Sequence, residues 1–248
     1  GEIEKHELGH VNAAKEVAQA IYADAQAMRI AGEAPTYDEA MKKAKAALEK
    51  DFAKIGGPMA IDKRIAVDGA SDHLVSEALY LQDPDNLGIE VYCDRPRETW
   101  RLHGQELAMA TDPLDFGRVM DAGAGQPWTG APAGTTMGHV NLHVGDLAGA
   151  EAFYHAALGF DKTLWSYPGA LFLSAGGYHH HLGTNTWSPG PSARDSHTRL
   201  LDWELVLPTT ADVEAAGASL SGAGHRVDHD GRGQSVSDPW GTRVVLTA

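Results

Sequence analysis

The sequence predicts an α+β protein in which paired βαβββ modules follow a helical N-terminal segment. Two observations lead to this prediction. Over residues 137–248 the order of strand, helix and three strands occurs twice. A closing hairpin that begins with Asp-Pro recurs at residues 83–92 and 238–247. Such a repeat is typical of a duplicated supersecondary unit, and it takes precedence over any single motif.

Residues 1–60 are predicted to be a helical segment. Residues 2–55 are rich in Ala, Glu and Lys and contain few β-branched residues, which is a composition typical of helices. Gly32 and Pro35 divide the segment into two helices, because both residues interrupt a helix. Thr36 and Glu39 then form a capping box at the start of the second helix.

Residues 61–101 are predicted to contain a partial module, and residues 102–135 a linker. Strands at 78–81 and 88–92 flank an Asp-Pro-Asp-Asn turn, which indicates a hairpin. The stretch that follows holds several prolines and glycines without a sustained period. A linker of this length indicates a domain boundary.

Residues 136–248 are predicted to form two βαβββ modules. Asp146 caps the first helix, which presents apolar side chains on one face. The predicted strands are 139–144, 162–166, 171–174 and 178–182 in the first module, and 203–207, 225–229, 234–237 and 243–247 in the second, whose helix spans 211–221.

Histidines occur in two of these predicted strands. Because neighbouring strand residues point to opposite faces, His139 and His143 share one face. In the triplet at 179–181, His179 and His181 share a face, and His180 lies on the other. Two imidazoles that point into one sheet concavity indicate a metal or proton-transfer site. The alternative is a pair of ordinary polar strand faces exposed to solvent.

Glu90 lies between Ile89 and Val91 in the second strand of the hairpin. Burial of an unpaired carboxylate is costly, so this position indicates a metal or another cationic partner. The alternative is a glutamate on an edge strand that faces water.

Composition and charge exclude several classes of protein. The chain has 248 residues and a formal net charge of −14, and so acidic a surface disfavours a nucleic-acid partner. Cys93 is the only cysteine, which excludes an internal disulfide and fits a reducing compartment. No apolar run approaches membrane-spanning length, and residues 1–30 lack the central apolar block of a signal peptide. A cytoplasmic protein that binds no membrane is therefore expected.

The N-terminal segment contains a second candidate site, His6-Glu7-Leu8-Gly9-His10. This run fits HExxH, in which the two histidines bind Zn(II) and Glu7 acts as base toward the bound water. The run also resembles the HExGH helix of small bacterial zinc-dependent peptidases. One alternative is an Ala-rich packing helix with incidental histidines. Another is the start of a further module, because residues 9–12 repeat residues 138–141.

Five segments outside the repeat pattern itself are distinctive: GASDHLVSEALYL at 69–81, DRPR at 94–97, TDPL at 111–114, PWTG at 127–130 and the segment 176–187. Together with these motifs, the paired modules resemble the vicinal oxygen chelate superfamily, which includes glyoxalase I, extradiol ring-cleaving dioxygenases and bleomycin resistance proteins. Within that superfamily the chain is similar, over residues 62–248, to bacterial catechol 2,3-dioxygenase-like proteins.

The resemblance implies a metal-dependent ring-cleaving dioxygenase that acts on a small aromatic diol. Paired oxygen-chelate modules would form a cupped sheet around Fe(II) or Mn(II), with His139, His181 and Glu90 as ligands. His179 or His181 would accept the proton of the diol. Val245 stands where the last module is expected to carry a glutamate. This difference favours the alternative, a non-catalytic protein that binds a small ligand.

The resemblance also implies that modules preceding residue 61 are missing. The partial module at 61–101 would then present an unpaired strand edge. A homodimer that completes this sheet is therefore expected.

Overall fold

The computed structural model of the protein describes residues 66–83, 87–123, 133–188 and 199–248. These residues fall into two compact units. The first comprises the described residues up to Trp100 together with those in Met109–Thr135, and the second comprises Arg101–Ala108 and the described residues of Thr136–Ala248. The helices predicted for residues 1–60 lie outside the described residues.

The described chain is rich in strands and has few helices. In order, the strands are β1 (Ala66–Asp72), β2 (Ser76–Gln82), β3 (Gly88–Asp94), β4 (Leu102–His103), β5 (Glu106–Leu107), β6 (Asp112–Pro113), β7 (Val140–His143), β8 (Asp161–Leu164), β9 (Ala170–Ser174), β10 (Leu182–Asn185), β11 (Asp202–Val206), β12 (Val227–Asp230), β13 (Gly233–Ser237) and β14 (Arg243–Thr247). This mixed architecture confirms the predicted α+β class.

The first unit is built on one antiparallel sheet with the strand order β3-β2-β1-β6. The predicted hairpin is confirmed, because β2 pairs with β3 from Ser76↔Asp94 to Gln82↔Gly88. Strand β1 was not predicted from the sequence, and its Gly69 lies next to a register shift against β2. A 3-10 helix, Arg97–Thr99, follows β3, and an α-helix, Phe116–Gly123, follows β6.

The second unit contains two copies of the same sheet. Their strand orders are β7-β10-β9-β8 and β11-β14-β13-β12. In each sheet the first strand pairs in parallel with the last, and the other pairs are antiparallel. A parallel pair requires a crossover, which here includes a helix between the first and second strands. The predicted repeat of a βαβββ module is therefore confirmed.

Capping side chains begin both module helices. Asp146 accepts a hydrogen bond from the backbone N–H of Gly149 at 2.6 Å, as the sequence predicted. The α-helix Leu147–Ala150 continues as a π-helix over Glu151–Ala157. In the second module the hydroxyl of Thr209 accepts from the backbone N–H of Asp212, and the helix spans Thr210–Gly222.

The two modules share one apolar core, which lies between the sheets and the helices. Its buried members include Leu142, Phe153, Leu173, Leu182, Trp203, Leu220, Val244 and Leu246. Tyr154 is buried in the same cluster, and its hydroxyl donates to Asp238 Oδ2 at 2.8 Å. Burial, together with the Asp238 carboxylate, raises the pKa of Tyr154 well above its ordinary value.

None of the described helices is long and apolar enough to cross a membrane.

One predicted strand lies elsewhere in the structure. The sequence predicted a strand at 178–182, whereas β10 begins at Leu182. Gly176 and Gly177 have φ values of 62° and 69°, a left-handed conformation that turns the chain away from the sheet. The histidine triplet therefore lies in the loop before β10. The strand alternation expected for His179, His180 and His181 does not hold.

Candidate functional site

The first unit brings three polar side chains together on one face of its sheet. Tyr80 and Glu90 are cross-strand partners of β2 and β3, so their side chains lie side by side. His73, in the turn between β1 and β2, is hydrogen-bonded through Nε2 to the hydroxyl of Tyr80. Glu90 Oε1 lies 4.0 Å from the same nitrogen. We call these three residues the His73 cluster.

The hydrogen bonds of His73 define the tautomer of its neutral imidazole. Nδ1 lies 2.6 Å from the backbone carbonyl oxygen of Ala110, which can only accept, so Nδ1 carries a proton. In this tautomer Nε2 accepts a hydrogen bond from the Tyr80 hydroxyl. A phenolic oxygen that donates its proton still has lone pairs that accept one. The pair is thus arranged to pass a proton from a bound hydroxyl through Tyr80 to His73.

A strained turn places His73 in this position. The backbone N–H of His73 donates to the Ser76 carbonyl at 2.8 Å. Leu74 has φ 68°, a left-handed conformation that is uncommon outside glycine. Its N–H donates to Asp72 Oδ1 at 2.8 Å. A residue in such a conformation persists only where its surroundings enforce it, and such positions cluster at functional sites.

The second unit contains a separate cluster of imidazoles. The ring centroids of His139 and His180 are 4.3 Å apart, and those of His139 and His179 are 6.3 Å apart. His179 and His180 share a hydrogen bond of 2.8 Å between their Nδ1 atoms. His179 is fully buried. The structure therefore groups His139 with both His179 and His180, although the sequence had placed those two on opposite strand faces.

His181 has different partners. Its Nδ1 lies 3.0 Å from the hydroxyl of Ser174 and accepts from the backbone N–H of Ala175 at 3.3 Å. Its ring packs against Tyr178 with a centroid separation of 4.9 Å. The side-chain contacts of His181 thus include the end of β9, Tyr178 in the following loop and Phe160. Those of His139 include His179 and His180.

The side chains that the structure describes do not fit a complete metal site. No group of three His, Cys, Asp or Glu side chains within the described ranges is arranged to hold an ion. In the His73 cluster both ring nitrogens of His73 are hydrogen-bonded, and Glu90 is the carboxylate of the cluster. His139 and His181 lie in the second unit, whereas Glu90 lies in the first.

The zinc motif of the N-terminal segment stays a prediction. His6, Glu7 and His10 lie outside the residues that the structure describes.

A row of aromatic rings leads from the surface of the second unit to the imidazole cluster. The ring centroids of Trp187 and Tyr167 are 6.2 Å apart. Those of Tyr167 and Phe172 are 6.0 Å apart, and those of Phe172 and His180 are 5.0 Å apart. We call these four residues the aromatic surface. Each contact is edge-to-face, an arrangement that aromatic pairs favour.

Trp187 is held in place although it is 56% exposed. Its indole N–H donates to the Pro168 carbonyl at 2.9 Å. Its backbone N–H donates to Asn185 Oδ1 at 3.3 Å, and that oxygen also lies 2.7 Å from His143 Nδ1. Gly169, at φ 72°, leaves room for the indole. The Trp187 ring is therefore both exposed and fixed by hydrogen bonds.

Comparison with known proteins supports the family assignment. Residues 136–246, which contain both complete modules, match the family described as Glyoxalase/Bleomycin resistance protein/Dioxygenase superfamily. The chain carries a domain of this superfamily. It is also 40% identical over 184 residues to the catechol-2,3-dioxygenase of Bacillus subtilis (strain 168), an alignment that covers 72% of this chain. The aligned region spans 64% of the length of that dioxygenase.

Solved structures of glyoxalase-type proteins are also similar to part of the chain. The lactoylglutathione lyase of Agrobacterium tumefaciens is 21% identical, with a TM-score of 0.35, and the match covers 47% of this chain and 94% of that one. A glyoxalase/bleomycin resistance protein from Streptomyces sp. CB03234 is 26% identical, with a TM-score of 0.34 and coverage of 44% and 96%.

Proposed function

We propose that the protein is a ring-cleaving dioxygenase-like enzyme that acts on a small aromatic diol. The observation that carries this proposal is the 40% identity to a catechol-2,3-dioxygenase over 184 residues. The His73 cluster supports it, because His73 and Tyr80 lie in the motif at 69–81 and are arranged for proton transfer. Cleavage of a diol requires that at least one hydroxyl lose its proton, and a positioned acid–base pair accelerates such a step.

The proposed acid–base step uses Tyr80 and His73. The substrate hydroxyl gives its proton to the Tyr80 oxygen as Tyr80 passes its own proton to His73 Nε2. The resulting imidazolium keeps Nδ1–H bonded to the Ala110 carbonyl. Tyr80 is therefore the catalytic contact with the diol, and His73 is the proton acceptor.

The reaction class implies a divalent ion, for which Fe(II) and Mn(II) are the proposed choices. Such an ion supplies open coordination positions for the diol and dioxygen when bound. Glu90 is our proposed carboxylate ligand in the first unit. His139 and His181, and His6 and His10, remain the histidine ligands proposed from the sequence.

The decisive experiment compares the wild-type protein with Glu90→Gln. Each is loaded anaerobically with Fe(II) or Mn(II), and metal content, oxygen uptake with catechol and the ring-opened product are measured. We expect the wild type to consume oxygen and form product. Because an uncharged amide is a weaker ligand than a carboxylate, we expect the variant to lose metal and turnover together. Glu98→Gln, in the exposed 3-10 helix after β3, is the matched control.

Two outcomes would reject the dioxygenase proposal. One is a wild-type protein that takes up no oxygen with any simple catechol after iron and manganese loading. The other is a Glu90→Gln variant with the metal content and turnover of the wild type.

A second candidate function is the non-catalytic binding of a small aromatic or cationic ligand by the second unit. The aromatic surface supports it, because Trp187 and Tyr167 offer ring faces for stacking or cation–π contact. We expect catechol or a quaternary ammonium compound to raise the melting temperature without oxygen uptake, and Trp187→Ala to abolish the rise. Trp165→Ala is the control, since Trp165 is also exposed and instead lies 5.1 Å from Lys162 Nζ.

We also propose that the protein forms a homodimer. The proposal rests on the sequence, in which residues 61–101 hold a partial module that a second copy of the chain would complete. Light scattering at several concentrations tests this proposal, and a monodisperse monomer would contradict it.

A further inference from the structure

An arginine at the end of β3 holds the turn that carries His73. Arg95 Nη2 donates to Asp72 Oδ2 at 2.5 Å. The backbone N–H of Arg95 donates to the Val75 carbonyl at 2.8 Å. These contacts fix the chain on both sides of His73.

The carboxylate that Arg95 binds also stabilises the strained residue of the turn. Asp72 uses Oδ2 for Arg95 and Oδ1 for the backbone N–H of Leu74, the residue with φ 68°. A left-handed leucine costs about 1 kcal/mol or more, so it requires compensating contacts. By orienting the Asp72 carboxylate, Arg95 indirectly supports the conformation on which the direction of His73 depends.

Charge gives Arg95 a second role in the same turn. Asp72 and Glu77 are cross-strand partners, and two like charges placed opposite each other destabilise a hairpin. Arg95 Nη2 also lies 3.5 Å from Glu77 Oε1, so one guanidinium bridges both carboxylates. Arg118 forms an ion pair with Glu77 as well. Arg118 therefore shares the contact with Glu77. Among the described residues, it is Arg95 that pairs with Asp72 at hydrogen-bonding distance.

The backbone of Arg95 is itself anchored. The indole N–H of Trp100 donates to the Arg95 carbonyl at 3.0 Å. The guanidinium carbon of Arg97 lies 5.5 Å from the Trp100 ring centroid, a cation–π contact that orients the indole. The DRPR motif and the following tryptophan thus form a rigid base from which the Arg95 side chain reaches the turn.

We propose that Arg95 is a positioning residue for the proton-transfer pair His73–Tyr80 and that it acts through Asp72. It touches neither the substrate nor the reacting atoms. Its role is to hold the β1–β2 turn so that His73 Nδ1–H faces the Ala110 carbonyl and Nε2 faces Tyr80. The catalytic consequence of this inference rests on the proposed function, whereas the structural consequence can be measured without any turnover.

The test uses Arg95→Ala, Arg95→Lys and Asp72→Asn in the full chain, with Arg118→Ala as the matched control. Nitrogen-15 NMR at one fixed neutral pH reports which ring nitrogen of His73 carries the proton, and a His73→Gln variant assigns the signals. We expect the wild type and Arg118→Ala to show the Nδ1–H tautomer. We expect Arg95→Ala to show a mixture with Nε2–H, and Arg95→Lys to restore part of the wild-type pattern.

Kinetics with catechol and the loaded metal form the second measurement. A reacting group that moves by about 1 Å loses up to about 100-fold in rate, so we expect kcat of Arg95→Ala to fall by about tenfold or more. KM should change little, because Arg95 does not touch the substrate. Arg118→Ala should keep the wild-type kcat, and Arg95→Lys should recover part of the loss.

The two measurements separate the possible failures. If the wild type turns over no diol, the proposed function fails, and the NMR comparison alone decides the positioning role. If Arg95→Ala and Asp72→Asn keep the wild-type tautomer of His73, the inference is wrong whatever the kinetics show. Equal effects of Arg95→Ala and Arg118→Ala would also overturn it. If Arg95→Ala does not fold, Asp72→Asn decides, because it keeps the side-chain shape and the acceptor for Leu74.

Discussion

Single residues of the His73 cluster differ in how far the sequence revealed them. Glu90 could be selected because a carboxylate between two apolar strand residues needs a partner. His73 could not, because its orientation depends on the carbonyl of Ala110, which is 37 residues away in the chain. Tyr80 lies in a predicted strand, and its place opposite Glu90 follows only from the register of β2 and β3.

Tyr80 provides the sharpest prediction at the residue scale. Tyr80→Phe keeps the ring but removes the hydroxyl that relays the proton to His73. General acid–base groups contribute about 10²- to 10⁴-fold, so we expect kcat with catechol to fall by about 100-fold or more. Metal content should stay at the wild-type level, since Glu90 is intact. A Tyr80→Phe protein with wild-type kcat would show that this hydroxyl takes no part in the reaction.

At the scale of elements, the sequence predicted most of the second unit. The alternation of apolar residues and the cap at Asp146 belong to a repeated unit that local rules detect. The strand β10 was misplaced, because three histidines after two glycines look like an alternating strand. The positive φ values of Gly176 and Gly177 direct the chain out of the sheet instead. This error affected the predicted site, because the observed path of the chain brings together other imidazoles than the strand alternation predicted.

Two glycines, one in the turn after β12 and one at the start of β13, form a matched pair that tests the second module. Gly233 has φ 146°, and a Cβ there would collide with the backbone carbonyl oxygen of Leu246 on β14. Gly231, two residues earlier, has open space around a Cβ. We expect Gly233→Ala to lower the free energy of unfolding by about 1–3 kcal/mol. Gly231→Ala should change it by less than about 0.5 kcal/mol.

Urea denaturation with a fixed slope measures both variants. Comparable losses for Gly231→Ala and Gly233→Ala would contradict the register of β13 and β14, on which the closing hairpin of the second module depends.

At the scale of the whole molecule, the described chain has one partial and two complete modules in two units. The two complete modules could be predicted because each repeats the same order of elements. The metal site could not be established from the sequence, because a ligand set depends on tertiary contacts that no local pattern reveals. His139 packs against His180, and His181 lies within hydrogen-bonding distance of Ser174. The sequence of this protein therefore predicts its fold more fully than it predicts which side chains meet in a site.

Tyr154 and Asp238 connect the helix of the first module to the closing turn of the second. At neutral pH we expect Tyr154→Phe to cost about 1 kcal/mol or more, because a buried hydrogen bond is lost and Asp238 Oδ2 loses its donor. Asp238 Oδ1 keeps the backbone N–H groups of Trp240 and Thr242, so the turn itself is expected to survive.

The raised pKa of Tyr154 gives this pair an alkaline signature. Below the ordinary tyrosine pKa of 10.0 the hydroxyl is protonated in both the folded and the unfolded chain, and its stabilising effect is fully present. Above that pH the unfolded chain ionises while the folded chain retains the proton, so wild-type stability falls by about 1.4 kcal/mol per pH unit from this group. The Tyr154→Phe variant has no hydroxyl at this position to ionise, so its stability does not fall in this way. In urea titrations from about pH 8 to 11, the stability gap between the two proteins should therefore narrow above the ordinary tyrosine pKa, and a constant gap would contradict the buried Tyr154–Asp238 contact.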